Sequence, residues 1–227
     1  MKIYLNGIVI ILMILFCSSS QGVTFNVSTT QELRQSLLDA AQNGQSDTII
    51  LADGTYATTD DGGGTFVFLD NEDCDLTLQG SSAENVILSG DNTHQVLDFR
   101  VVIFEVLISL ESLSIENGYS IVNGGGFYTT ENLFIQNSNI SNNTTNTGDG
   151  GGFYVAGSAN ISNSIISSNI ASNSYSGGGF YVGGSANISN STISNNIISN
   201  SYGSGQGGGF NVVTELTCPQ SLYQLLS

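Results

Sequence analysis

The tetrapeptide Gly-Gly-Gly-Phe occurs four times in this chain, at residues 124–127, 150–153, 177–180 and 207–210, with spacings of 26, 27 and 30 residues. A period of this size belongs to a solenoid, in which each copy is one turn that buries its apolar face by stacking on the next. Residues 153–164 and 180–191 differ only at Ala156 against Gly183, so the copies are one structural unit. Within the unit apolar residues alternate: Phe153 and Val155, then Ala159 and Ile161, then Ile165 or Ile166. An alternation of two is that of a strand with one buried face, and it excludes a helical repeat.

Glycine triplets, Asn-Ser pairs and Asn-Asn pairs separate the strands. Gly and Asn are the residues that most readily take the left-handed backbone of a sharp corner. Each turn is therefore predicted to hold three short strands and three bends. Turns stacked about 4.8 Å apart would place Asn137, Asn163 and Asn190, which share an offset, in a hydrogen-bonded ladder. The span 47–210 divided by a period near 27 predicts about six turns. The predicted fold is all-β, a single-stranded parallel β-helix with a short N-terminal capping helix.

That helix is read from residues 28–41. Two overlapping capping boxes, Ser28 with Gln31 and Thr29 with Glu32, precede Leu33, Leu37, Leu38 and Ala41 on helical spacing, and Gly44 supplies the stop. An amphipathic helix of this kind suits the open end of a solenoid. Ahead of it, Lys2, the apolar run 7–16 and the small polar residues after it read as a secretory leader, cleaved near residue 22. The expected organisation is a leader at 1–22, a cap at 23–46, irregular turns at 47–123, Gly-Gly-Gly-Phe turns at 124–210 and an aberrant tail at 211–227. The tail breaks the repeat mid-turn and reads as truncated, and the uncovered edge predicts end-to-end self-association. Beyond Cys17 in the leader only Cys74 and Cys218 remain, which is no disulfide framework, so stability is expected from something other than cross-links.

Charge narrows the function. Charged residues make up 10% of the chain, against about 25% in an ordinary domain. Three Lys or Arg face 19 Asp or Glu, for a net charge of −16. Nothing here can neutralise a phosphate backbone, so nucleic acid and anionic membrane are excluded as partners. The single His, His94, sits in a turn-like segment and is read as an exposed turn residue, and any Ser-His or Cys-His chemistry would rest on it alone.

The segments ELRQSLLDAA, DTIILADGTY, DLTLQG, NVILSG and SLESLSIENG, followed by GGGFYV and GSANISNS, resemble the right-handed parallel β-helix proteins of the pectin lyase-like superfamily in their secreted bacterial form. The Gly-Gly-Gly-Phe motifs, with Phe134-x-x-Asn137, Ile166-x-x-Asn169 and Ile193-x-x-Asn196, are similar to the repeats of polymorphic outer membrane proteins. The resemblance implies a right-handed coil and an exported, surface-displayed protein associated with adhesion, in contact with a polysaccharide or host surface glycan. It also implies an alternative, since enzymatic relatives cleave acidic polysaccharides, the lyases with Ca2+ and an Arg base. The candidates for such a base are Arg34 and Arg100, with Asp98 beside Arg100 in sequence as an ion-pair partner, because no Lys, Arg or His follows Arg100. The acidic segment with Asp70, Glu72, Asp73 and Asp75 offers oxygen donors for Ca2+, without the spacing of a defined calcium loop. From residue 124 onward the acids are only Glu131, Asp149 and Glu215, too sparse for a two-carboxylate site on the regular turns.

Phe153 and Phe180 fall at the same offset and are predicted to share one inward stack. Phe→Ala at either should then cost roughly 3–5 kcal/mol through the cavity left behind. Denaturant melts check this, and two neutral substitutions would place the rings in solvent.

Overall fold

Every strand of the repeat pairs with the strand one period away: Phe153–Val155 lies parallel to Phe180–Val182, with Phe153 opposite Phe180, Tyr154 opposite Tyr181 and Val155 opposite Val182. This is a computed structural model that describes residues 22–70, 74–101, 106–173, 177–199 and 208–217, together with the backbone of 2–5 and 8–11. The last two segments form an antiparallel pair, and the leader reading otherwise lies outside the described residues.

The chain is an all-β parallel solenoid of about seven turns, built from four sheets. Sheet I has eight strands: Thr24–Val27, Asp47–Leu51, Leu76–Gln79, Leu107–Glu111, Asn132–Gln136, Ala159–Ser162, Ala186–Ser189 and Leu216–Thr217. Sheet II runs from Gly54–Ala57 to Thr192–Ser194, and sheet III from Phe66–Asp70 to Phe210–Val212, with six strands each. From Tyr119–Ser120 onward a further short strand appears in each turn, through Thr144–Thr145 and Ile170–Ser172 to Ile197–Ser199, and these make sheet IV. Two expectations are corrected. The stack begins at Thr24–Val27, ahead of the helix, which adds a turn to the predicted six, and the regular turns hold four strands rather than three. Phe210–Val212 and Leu216–Thr217 continue sheets III and I in register, so the part of 211–217 read as aberrant follows the coil.

Helix α1, Thr30–Ala40, is spliced between the first two strands of sheet I. Of the two capping boxes, the one formed by Thr29 and Glu32 is made: the Thr29 hydroxyl accepts from the Glu32 N–H at 3.2 Å, and the Glu32 carboxylate accepts from the Thr29 and Ser28 N–H groups at 3.1 and 2.7 Å. Leu33 and Leu37 are fully buried on the end of the core. Leu38, expected on the same face, is 51% exposed, because one residue further along a helix turns the side chain by about 100°. Inside the barrel, Phe66, Phe99, Phe127, Phe153 and Phe180 are fully buried, and Phe153 stacks on Phe180 at 4.8 Å with the rings 2° from parallel. Burial of each such side chain is worth about 1.5–3 kcal/mol.

The corners follow one rule. Ser112, Asn137, Asn163 and Asn190 between sheets I and II, and Asn117, Asn142, Ser168 and Asn195 between sheets II and IV, have φ between 49° and 57°. In the repeats after residue 137, the residue after each turns inward and caps backbone of a neighbouring turn. At the first corner the Ser138 N–H donates to Ser164 Oγ and the Ser164 N–H to Ser191 Oγ, both at 3.1 Å. At the second, Asn143 and Asn169 each donate backbone N–H and Nδ2 to the Oδ1 of the next Asn, Asn169 and Asn196, all at 3.0 Å. Each Nδ2 also donates to a carbonyl one turn earlier, Ile115, Ile140 or Ile166. The ladder predicted for Asn137, Asn163 and Asn190 is therefore formed by Asn143, Asn169 and Asn196. The first set occupies the left-handed corner, where side chains point away from the core. The third glycine of the first three triplets packs on this ladder: a Cβ on Gly152 would sit 2.5 Å from the Gly179 carbonyl and 3.0 Å from the Asn169 carboxamide. Cross-linking is also present, since Cys74 is disulfide-bonded, which corrects the expectation of a fold without cross-links.

Asn169→Ala removes both halves of a buried relay and strands polar groups on two turns, so it should destabilise by about 2–4 kcal/mol. Asn163→Gly, at a corner glycine also accepts, should stay within about 1 kcal/mol. Urea melts of the two variants check the ranking, and equal losses would refute it.

Candidate ligand-contact face

The alternation that sends Phe127, Phe153 and Phe180 inward sends the next residue out, and that residue is Tyr each time. The strand register lines these up on the outer face of sheet III as Val67, Asp98, Tyr128, Tyr154, Tyr181 and Asn211. Beside this row Leu69 lies opposite Arg100. The tyrosines are half-buried and stacked: Tyr128 to Tyr154 at 5.4 Å and 9°, Tyr154 to Tyr181 at 4.8 Å and 5°. The rings cover one another's faces, so edges and hydroxyls are what the ladder offers outward. Beyond the strands the flanks are small: Gly124, Gly150 and Gly177 are in the left-handed region on one side, and Ala156 and Gly183 follow on the other.

At one end of the ladder the Arg100 guanidinium lies 5.0 Å above the Tyr128 ring and its Nε donates to Asp98 Oδ1 at 2.8 Å. Arg100 is 54% exposed and Asp98 18%, so the pair adds less than about 1 kcal/mol to stability. The Asp98 hydrogen bond holds the Arg100 pKa above its ordinary value, against a smaller opposing effect of burial. The structure thus brings Asp98 and Arg100 together on the outer face of sheet III.

The remaining sequence candidates lie elsewhere. Arg34 reaches from α1 to the carbonyls of Thr65, Thr58 and Gly64 at 3.2, 3.2 and 2.7 Å and lies over Phe66 at 4.6 Å, tying down the loop that carries Asp60 and Asp61. Burial lowers its pKa, opposed by the two aspartates. Asp70 points into the core and accepts the Cys74 N–H at 3.2 Å, whereas Asp75 accepts the Leu107 N–H at 2.8 Å. Glu72 and Asp73 are outside the described residues, and so is Cys218. Among the described residues no three His, Cys, Asp or Glu side chains gather as a metal-binding group. His94 lies in the turn, half-buried rather than exposed, with Nδ1 2.9 Å from the Thr93 hydroxyl. Local alternation does not mark the three tyrosines as one unit, and the recurring Phe-Tyr dipeptide at 127, 153 and 180 is the sequence signal of their ladder. No protein-family model, curated protein or solved structure matches this chain.

Burial, and then Tyr181, Tyr128 and Asp149, raise the Tyr154 pKa above its ordinary 10.0. The native state keeps this proton after the unfolded chain has released it, so the contribution is intact below pH 10 and is lost as pH rises through the folded value. Tyr154→Phe should remove one late-ionising component of the phenolate absorbance titration and make the alkaline loss of stability shallower. Unchanged titration curves would refute this.

Proposed function

We propose that this chain is an exported, surface-exposed solenoid that makes non-catalytic, adhesive contact with a glycan through the outer face of sheet III. The observation that carries the reading is the Tyr128, Tyr154 and Tyr181 ladder, a row of ring edges and hydroxyls repeating once per turn on a face with few charges. Tyrosine suits such contacts because one end of its side chain is apolar and the other is a hydrogen-bonding hydroxyl. The sequence resemblance to pectin lyase-like β-helices and to polymorphic outer membrane protein repeats supports both the export and the adhesion.

The second reading is a lyase acting on acidic polysaccharide, and the exposed Arg100 on the same face favours it. A proton-abstracting Arg must spend time neutral, however, and the hydrogen bond it donates to Asp98 opposes that. The contact reading is preferred for this reason.

A glycan array run beside an unsaturated-product assay on polygalacturonate with Ca2+ separates the two. The expected outcome is glycan binding that falls about tenfold or more in Tyr154→Ala, with no product formed, a loss equivalent to about 1.4 kcal/mol. Product formation that vanishes in Arg100→Ala would establish the lyase instead.

A further inference from the structure

We infer that the glycan met by sheet III is an uncharged polysaccharide lying along the solenoid axis, with one sugar facing each turn of the tyrosine ladder. The inference rests on the contact reading above and adds the ligand's charge and direction.

Direction follows from the register. Tyr128, Tyr154 and Tyr181 are equivalent positions of successive strands, 5.4 and 4.8 Å apart, so the face repeats along the axis at about the length of one sugar ring. Across the axis there is no comparable repeat, because each of these strands places a single outward side chain, its Tyr, between inward neighbours. On one flank Ala156 and Gly183 carry at most a methyl group beside the ladder, and on the other Gly124, Gly150 and Gly177 lie close against the strand backbone and present no side chain.

Charge follows from what faces the ladder. The chain carries −16 overall and has no Lys, Arg or His after Arg100. The cation on this face, Arg100, is bonded to Asp98 and lies against Tyr128, so its charge is already compensated. Asp149 acts on Tyr154 from the same neighbourhood. A polyuronate would therefore bring negative charge to a face with no net positive charge on a chain of −16, and like-charge repulsion disfavours that encounter. An uncharged polyol meets no such penalty. Its hydroxyls donate and accept hydrogen bonds as the tyrosine hydroxyls do.

The test titrates the full chain with neutral β-linked gluco- and manno-oligosaccharides and with oligogalacturonates of matched length, at low and high salt. The expected result is affinity for a neutral series that climbs with each added sugar and levels once the chain spans Tyr128 to Tyr181. Oligogalacturonates should bind at least about tenfold more weakly, with the gap narrowing as salt screens the repulsion. Tyr154→Phe, which keeps the stacked ring and removes the hydroxyl, should weaken the neutral ligand without changing the circular dichroism spectrum. Equal or tighter binding of oligogalacturonate, or affinity independent of length, would overturn the inference and leave the contact reading standing. No binding by either charge class would bring down both.

Discussion

Parallel hydrogen bonding between equivalent residues of successive turns is the interaction on which this molecule depends. It sets the pitch, and it makes each side chain the neighbour of its own copy, as Phe153 is of Phe180 and Ile161 of Ile188. At corners the strand ladder would leave backbone donors unmet in the interior, at a cost of about 1–3 kcal/mol each. The Ser138, Ser164, Ser191 row and the Asn143, Asn169, Asn196 row meet that need with side-chain oxygens from the adjacent turn. The third glycine of a triplet follows from the same requirement, since an asparagine carboxamide and a neighbouring glycine carbonyl fill the space its Cβ would occupy, while the first two are pressed against backbone.

The unusual composition has its cause here too. A charge written into the repeat would be stacked on its copy at ring-contact distance, about 1 kcal/mol of repulsion per pair even in water and more where solvent is partly excluded. The charges the solenoid does carry avoid this. Glu111 lies between Gln79 and Gln136, Glu116 between Ser89 and Ser141, and Asp98 between Val67 and Tyr128. Identical neutral polar or aromatic residues stack without penalty, and tyrosine gains from ring contact. The low charge and the Ser, Asn and Tyr content thus belong to one mechanical constraint.

That constraint shapes what the surface can do. Catalysis requires unlike groups converging on one point, whereas a strict repeat spreads like groups along a line. The irregular early turns, where Asp98 meets Arg100 and Arg34 clasps the 58–65 loop, are where unlike groups do meet. The regular turns form a lattice of one spacing, suited to a partner that is itself periodic.

Much of this was legible in the residues. The period, the strands, the inward phenylalanines and the capped helix at 30–40 all follow from local alternation and capping chemistry, which act within a few residues. What the tertiary structure decided lies one turn away in sequence. Period-two patterning says which strand residues face in, but not which of two adjacent corner residues does, because that depends on the left-handed φ of the residue before it. So at the first corner Asn137, Asn163 and Asn190 take the left-handed φ and Ser138, Ser164 and Ser191 face in, whereas the asparagine ladder forms at the second corner, where Asn143, Asn169 and Asn196 follow the left-handed residue. The short sheet IV strands, two or three residues long, carry too little alternation to be seen alone. The commitment of Arg34 to backbone carbonyls and the merging of three separate tyrosines into one ladder depend on contacts 24 or more residues apart, which only the stacked turns create.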